Sequence, residues 1–224
     1  MKRNSVMKRL QRRAKRSVTE MPDFEFEKIA VDNGFSAVCG VDEAGRGPFA
    51  GSVCAAAVIL PMDCEIEGLN DSKKLSEKRR EALFDVVKGK AITYAIAFAS
   101  VEEIARFNIL GATFLAMERC VKALSPAADF ALIDGNKAPS NLEIPSLAVV
   151  KGDAKSMSIA AASILAKDSR DRLMCEMGEK YPEYGFEIHK GYGTKAHCAA
   201  ILAHGACEIH REKFLRKLLG AGND

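Results

Sequence analysis

Two adjacent acids, Asp42 and Glu43, follow the apolar run Ala37-Val38-Cys39-Gly40-Val41 and precede the stretch "AGRGPFAG". Two more acids stand in comparable places, Asp134 at the end of "DFALID" and Asp153 after "SLAVVKG". In α/β sheets, loops beyond strand ends aim functional groups into one crevice. Carboxylates crowded there repel one another unless they are protonated or share a cation. Oxygen ligands without sulfur or imidazole suit Mg²⁺ or Mn²⁺. The four acids are therefore candidate ligands of a hard divalent ion. Each has a plainer reading when taken singly. Asp134-Gly135 is a common turn dipeptide, Asp153 can N-cap the next helix, and Asp42 can be a surface residue at a strand end. Neighbouring strand residues point to opposite faces. If Asp42 and Glu43 serve one site, the strand is expected to stop at them, broken by the Gly-Arg-Gly-Pro that follows.

The elements that must position these acids can be read from periodicity. Residues 36–41 and 52–60 read as strands joined by the glycine-rich turn, with Pro61 ending the second. In "AITYAIAFAS", Ile92, Tyr94, Ile96 and Phe98 alternate with small residues, which predicts a strand with those four facing the core. Between these, "SEKRREALFDVVKG" reads as a helix with Ser76 as N-cap and Gly89 as its stop. A helix is expected over 109–124, and short strands in "DFALIDGN", ending at Asp134, and in "SLAVVKGD", ending near Asp153. A long helix, "AKSMSIAAASILAKDSRDRLMCEMG", follows and is closed by Gly178, with two or three shorter helices after it. Strands first, then alternation with helices, predict a mixed sheet flanked by helices.

Composition narrows the class. The 224 residues are 48% hydrophobic and 28% charged, as in an ordinary globular protein. The longest apolar run, Val53 to Leu60, is too short to span a bilayer, and no membrane partner is expected. No positively charged start leads into an apolar segment, so no secretory signal is expected. Seven cysteines, an odd number without a Cys-x-x-Cys pair, point to free thiols and a cytoplasmic, reducing compartment.

Charge is unevenly placed. Residues 1–16 carry eight basic side chains and no acid, which leaves 25 basic against 30 acidic residues over 17–224, a net of about −5. Residues 1–20 thus form a basic arm on a mildly acidic body. It can be read as a solvated tail, an organelle transit segment or an electrostatic tether for a polyanion.

Two rival motifs are weaker. "GRGPFAG" places its last glycine one residue too late for G-x-G-x-x-G, and the short segment after it, stopped by Pro61, is no helix. His189, His197, His204 and His210 lie near Cys198 and Cys207, but their spacings match no zinc pattern, so scattered structural roles are expected.

With these residues assembled, the chain resembles the ribonuclease HII (type 2 ribonuclease H) family. "VDEAGRGPFAG", "DSKKLS", "LIDGN", "KGDAKSMSIAAASILAKDSRDRLM", "HKGYGTKAH" and "HGACEIHR" follow the family's blocks in order. The resemblance implies an α/β ribonuclease H-like fold, a mixed five-stranded sheet flanked by helices with a helical C-terminal part. It puts the catalytic domain at 21–180 and a packed helical extension at 181–224. It places Asp42, Glu43, Asp134 and Asp153 on four acidic metal-site positions that use two Mg²⁺ or Mn²⁺ ions. Gly45, Arg46 and Gly47 fall on a loop whose backbone reads the ribose 2′-hydroxyl, and Tyr192 on a tyrosine that stacks on the neighbouring sugar. The implied reaction is hydrolysis on the 5′ side of a ribonucleotide, in RNA–DNA hybrids or at single ribonucleotides in duplex DNA, leaving 3′-hydroxyl and 5′-phosphate ends. Lys73, Lys74, Lys151, Lys155, Lys190 and Lys195 are candidate phosphate contacts, each with an equal reading as a solvated surface lysine. The expected partner is nucleic acid, and the expected state is a monomer. A type 3 relative would carry a folded N-terminal domain, for which the 37 residues before the first strand are too few. Asp168-Ser169, Ala206 and Glu208 depart from the family pattern.

Overall fold

Apolar runs supply five strands of one sheet. The computed structural model describes residues 21–69 and 75–220; the basic arm at 1–20, Lys73 and Lys74 lie outside the described residues. A first helix, α1 (Glu25–Val31), is followed by β1 (Val38–Ala44) and β2 (Val53–Ile59). Helix α2 (Glu77–Lys90) leads to β3 (Thr93–Ala99), and helix α3 (Val101–Lys122) to β4 (Phe130–Asp134) and β5 (Ser146–Val149). Helix α4 (Met157–Lys180) and three short helices, α5 (Phe186–His189), α6 (Lys195–His204) and α7 (Glu212–Leu215), complete the described chain.

The sheet order is β3-β2-β1-β4-β5. β1 pairs antiparallel with β2 and parallel with β4, so the sheet is mixed, as expected. Both faces are covered. Cys39, Val41, Val53, Ala55 and Ala57 pack on Ala112, Ala116, Met117 and Cys120 of α3. On the other face Cys54, Ala56 and Val58 meet α2 and α4. Ile159, Ile164 and Leu165 of α4 are fully buried. Each such side chain contributes about 1.5–3 kcal/mol relative to exposure, so α4 is held by the sheet more than by its own propensity.

Several boundaries differ from the sequence reading. The first strand does not stop at the acids. Its ladder with β2 continues through Asp42↔Ala56, Glu43↔Ala55 and Ala44↔Cys54, whereas its ladder with β4 ends at Val41↔Ile133. The acids therefore lie inside the strand, where only one neighbour has ended. β3 is an edge strand: Tyr94 and Ile96 pack on the face covered by α2 and α4, as expected, Ile92 and Phe98 are exposed, and Ala95, Ala97 and Ala99 pack on the α3 side. The small residues of β3 thus face α3 and the larger ones the opposite face. α2 runs through Gly89 to Lys90 and ends where Ala91 turns extended. α3 starts earlier than expected, with a Ser100–Glu103 capping box, and is interrupted at Asn108 (φ 57°, ψ 174°), whose Oδ1 accepts from the amides of Leu110 and Gly111. Gly178 does not close α4; it lets the helix approach α5, since a Cβ there would lie 2.5 Å from Glu187 Oε2.

Candidate active site

The acids are brought together by close backbone approaches. Gly40, two residues before Asp42, lies against the first turn of α4; a Cβ on it would fall 2.1 Å from the Ser158 carbonyl carbon. Only glycine allows that crossing. The 3₁₀ turn Gly152–Ala154, which carries Asp153, lies just before α4 and meets Asp134 at the end of β4. Ser156, the N-cap of α4, accepts from the Ile159 amide and donates its hydroxyl to Glu27 Oε1 at 2.6 Å. Glu27 Oε1 also accepts from the Ser158 amide at 3.0 Å, so this buried glutamate of α1 braces the start of α4. Its pKa is raised by burial.

Asp42 and Asp153 are only 3% and 5% exposed. Asp134 ends β4 beside β1, and its Oδ1 accepts from the Gly152 amide at 2.6 Å. A side chain at Gly152 would crowd that oxygen at 3.1 Å. Asp42 Oδ1 accepts from the Glu43 amide at 2.7 Å, and Glu43 Oε1 accepts from Arg46 Nη1 at 3.4 Å. Burial, and then the negative charges of Asp134, Glu43 and Asp153, hold the Asp42 carboxyl well above the usual carboxylate range. The four acids thus share one field. Among the described residues no three or more His, Cys, Asp or Glu side chains close into a ready-made metal cage. Carboxylates that share one field repel one another, and an all-oxygen donor set fits a hard divalent ion.

The loop after β1 is pinned from beneath by two buried arginines that the sequence reading did not single out. Arg211 donates from Nη2 to the Gly45 carbonyl at 2.7 Å, from Nη1 to those of Arg46 (3.1 Å) and Pro48 (2.9 Å), and from Nε to that of Gly51 at 2.8 Å. Arg170 of α4 donates to the carbonyls of Ala50, Ser52 and Lys190. Desolvation, followed by repulsion from Arg170, lowers the Arg211 pKa to about 9. In a trans peptide the carbonyl and the following N–H point opposite ways. With the Gly45 and Arg46 carbonyls turned to Arg211, the amides of Arg46 and Gly47 face away from it. Gly45 has φ +95°, and a Cβ on it would lie 2.0 Å from Arg170 Nε, so no other residue fits there.

Tyr192 stands beside this loop. Its Cε1 is 3.8 Å from where a Cβ on Gly47 would be, and the residue is 44% exposed. Arg46 and Gly47 are exposed as well. Of the lysines, Lys151 and Lys195 are exposed. Lys190 donates to Glu187 O and lies 3.1 Å from Glu77 Oε1. Lys155 is 5% exposed, which leaves it little surface to offer a phosphate. The histidines are not scattered: His189, His197 and His210 stack and bond in one cluster behind Tyr192, because α5, α6 and the residues before α7 converge there. Of the departures from the family pattern, Asp168 pairs with Arg172 at 2.6 Å and Glu208 with Lys180 at 2.7 Å.

A family model described as Ribonuclease HII matches residues 39–217. The chain is 59% identical to a Ribonuclease HII of Dechloromonas aromatica (strain RCB), over 79% of this chain and 90% of that protein. It is 51% identical to one of Caldicellulosiruptor saccharolyticus, over 88% of this chain and 95% of that protein. Among solved structures, the ribonuclease H2 from Pyrococcus horikoshii OT3 superposes with a TM-score of 0.68 at 25% identity, covering 83% of this chain and 98% of that one.

Proposed function

The chain belongs to the ribonuclease HII family, endoribonucleases acting on RNA–DNA hybrids, and from that premise we propose how this site cuts and what it recognises. The scissile bond is the phosphodiester on the 5′ side of a ribonucleotide, in hybrids and at single ribonucleotides embedded in duplex DNA. The products carry 3′-hydroxyl and 5′-phosphate ends. The observation that carries this reading is the meeting of the four-acid cluster with the Arg211-pinned loop, only two residues after Glu43.

Asp42, Glu43, Asp134 and Asp153 would hold two Mg²⁺ or Mn²⁺ ions. Such ions supply an activated water and neutralise charge on the leaving 3′-oxygen. The buried Asp42 carboxyl, strained by three like charges, is the position with most to gain from a shared cation. The amides of Arg46 and Gly47 offer donors with no side chain on Gly47 to block a sugar. Since the 2′-hydroxyl distinguishes RNA from DNA, backbone groups at this distance from the acids can couple recognition to cutting. The half-exposed Arg46 guanidinium suits the adjacent phosphate, and the Tyr192 ring suits stacking on the neighbouring sugar.

The domain reading assigns 21–180 to catalysis and 181–224 to an extension packed on it; Phe186, Ile201 and Leu215 bury against Ala50 and Met174 in support. A reducing, cytoplasmic setting is supported by seven free cysteines, and a monomeric state is proposed with it. Among the described residues, no helix is long and apolar enough to cross a membrane.

The deciding experiment uses a duplex DNA with one ribonucleotide, its 2′-O-methyl analogue and plain DNA, each with Mg²⁺, with Mn²⁺ and with chelator. Cutting confined to the ribonucleotide substrate with metal is expected. Equal cutting of plain DNA would sink the 2′-hydroxyl reading, and cutting in chelator the metal reading.

A further inference from the structure

Behind Tyr192 the hydrogen bonds assign a proton to each nitrogen of a buried imidazole pair. His210 Nδ1 accepts from the Cys207 amide at 2.9 Å, so that nitrogen carries no proton. Neutral His210 then bears its proton on Nε2, which faces His197 Nε2 at 3.0 Å. His197 Nε2 must accept, leaving its proton on Nδ1, which donates to the Tyr192 carbonyl at 2.9 Å. One direction of donation satisfies all three contacts. His189 stacks on His197 with ring centroids 4.4 Å apart; its Nδ1 accepts from the Gly191 amide and its Nε2 donates to the Tyr184 carbonyl. The remaining neighbours are the rings of Phe49, Phe186 and Tyr184 and the Cys207 thiol, whose Sγ lies 3.1 Å from His210 Nδ1 and whose pKa burial raises, so the groups facing the pair are uncharged at neutral pH.

The same residues reach the loop. His210 bridges to Ala50, the Arg211 amide donates to the Phe49 carbonyl at 2.7 Å, and the Phe49 amide donates to the Gly191 carbonyl at 2.8 Å. The dipeptide His210-Arg211 therefore reaches Tyr192 by way of His197 through one side chain and holds the Gly45–Gly51 loop directly through the other.

We propose that His197 and His210 are positioning residues for ribonucleotide recognition, a neutral hydrogen-bonded imidazole pair that fixes the Tyr192 backbone and so sets its ring beside Gly47. The inference rests on the reading of Tyr192 as the residue that senses the sugar. An imidazole pair suits this task because donor and acceptor lie on opposite edges of a rigid ring. A proton added to either ring would set two N–H groups against each other and break the relay. Burial keeps both pKa values low, His197 at about 4, so the relay stands at neutral pH.

The test combines spectroscopy with kinetics on the full chain. Nitrogen-15 histidine spectra at neutral pH should show His197 protonated on Nδ1 and His210 on Nε2; the opposite tautomers, or a charged ring, overturn the relay. His197→Phe keeps a ring but no donor, and should lower kcat/KM on one embedded ribonucleotide by roughly tenfold, the weight of one lost hydrogen bond, with a smaller loss on a long hybrid. His197→Asn can still donate to the Tyr192 carbonyl and should recover much of that loss. In a Tyr192→Ala background, His197→Phe should cost almost nothing more; an undiminished extra loss means the pair acts elsewhere and overturns the inference. If Tyr192→Ala alone leaves the preference between substrates unchanged, the sensing role of Tyr192 fails and this inference with it. Should His197→Phe not fold, the tautomers and His197→Asn decide.

Discussion

Arg211 Nη2 lies 2.7 Å from the carbonyl oxygen of Gly45, across 166 positions of sequence. That bond joins the C-terminal part to the loop following the acids. It turns the loop's carbonyls inward and its amides outward.

Arg211→Lys keeps the charge but replaces a planar fork of donors with a single ammonium, which cannot span the carbonyls of Gly45, Arg46, Pro48 and Gly51 together. Losing several charge-assisted bonds should lower kcat/KM for a single ribonucleotide on the order of 10- to 100-fold. Divalent-ion affinity, measured by titration calorimetry, should hardly change. A variant as active as the parent would show that the loop holds its shape without Arg211.

Asp42→Asn should nearly abolish cleavage, because a neutral amide is a poor ligand for a hard dication. Metal-free, the same variant should be more stable than the parent, since it removes a carboxyl whose ionised form is disfavoured by burial and by the charges of Asp134, Glu43 and Asp153. Thermal melts in chelator check the sign. A lower Tm for Asp42→Asn would mean that the cluster is already neutralised within the protein.

The buried His197 makes a defined contribution to the pH dependence of stability. Its pKa is lowered from 6.5 to about 4 by burial first, so between those values the unfolded chain binds a proton that the native state refuses. Stability should therefore rise with pH from about 4 to 6.5, by on the order of 2 kcal/mol from this residue, and level off above. Denaturant unfolding of the parent and His197→Asn at several pH values isolates the contribution. A parallel pair of curves would show that His197 titrates normally.

Deleting residues 1–20 should weaken substrate binding at low salt and leave kcat almost unchanged. The arm's eight basic residues face a body of about −5, and no candidate metal ligand lies in it. With three or four charges on phosphates, the log–log salt slope should flatten by roughly 3 units. Binding titrations in Ca²⁺, with cleavage suppressed, measure it; an unchanged slope makes the arm a bystander.

How much of this was legible beforehand varies by element. The five strands, the N-cap at Ser76, the long α4 and the acids near strand ends all rest on patterns within a few residues, and the chain displays those directly. Boundaries were read less well. Whether β1 ends at Val41 or Ala44 depends on which neighbour continues beside it, and that neighbour, β2, is set by pairing and not by β1's own residues.

By itself the sequence determined the alternation of strands and helices, the four acids, the glycines of the loop and the placing of positive charge on an arm. These follow from local periodicity, composition and order along the chain. Only the tertiary structure decided that Gly40 and Gly152 are points of contact, that Glu27 braces α4, and that Arg170 and Arg211 hold the loop by its carbonyls. It also gathered three of the four histidines into one cluster. The reason is physical: a buried arginine, histidine or glycine is defined by partners as many as 166 positions away, and the type of a single residue carries no record of which distant backbone will reach it.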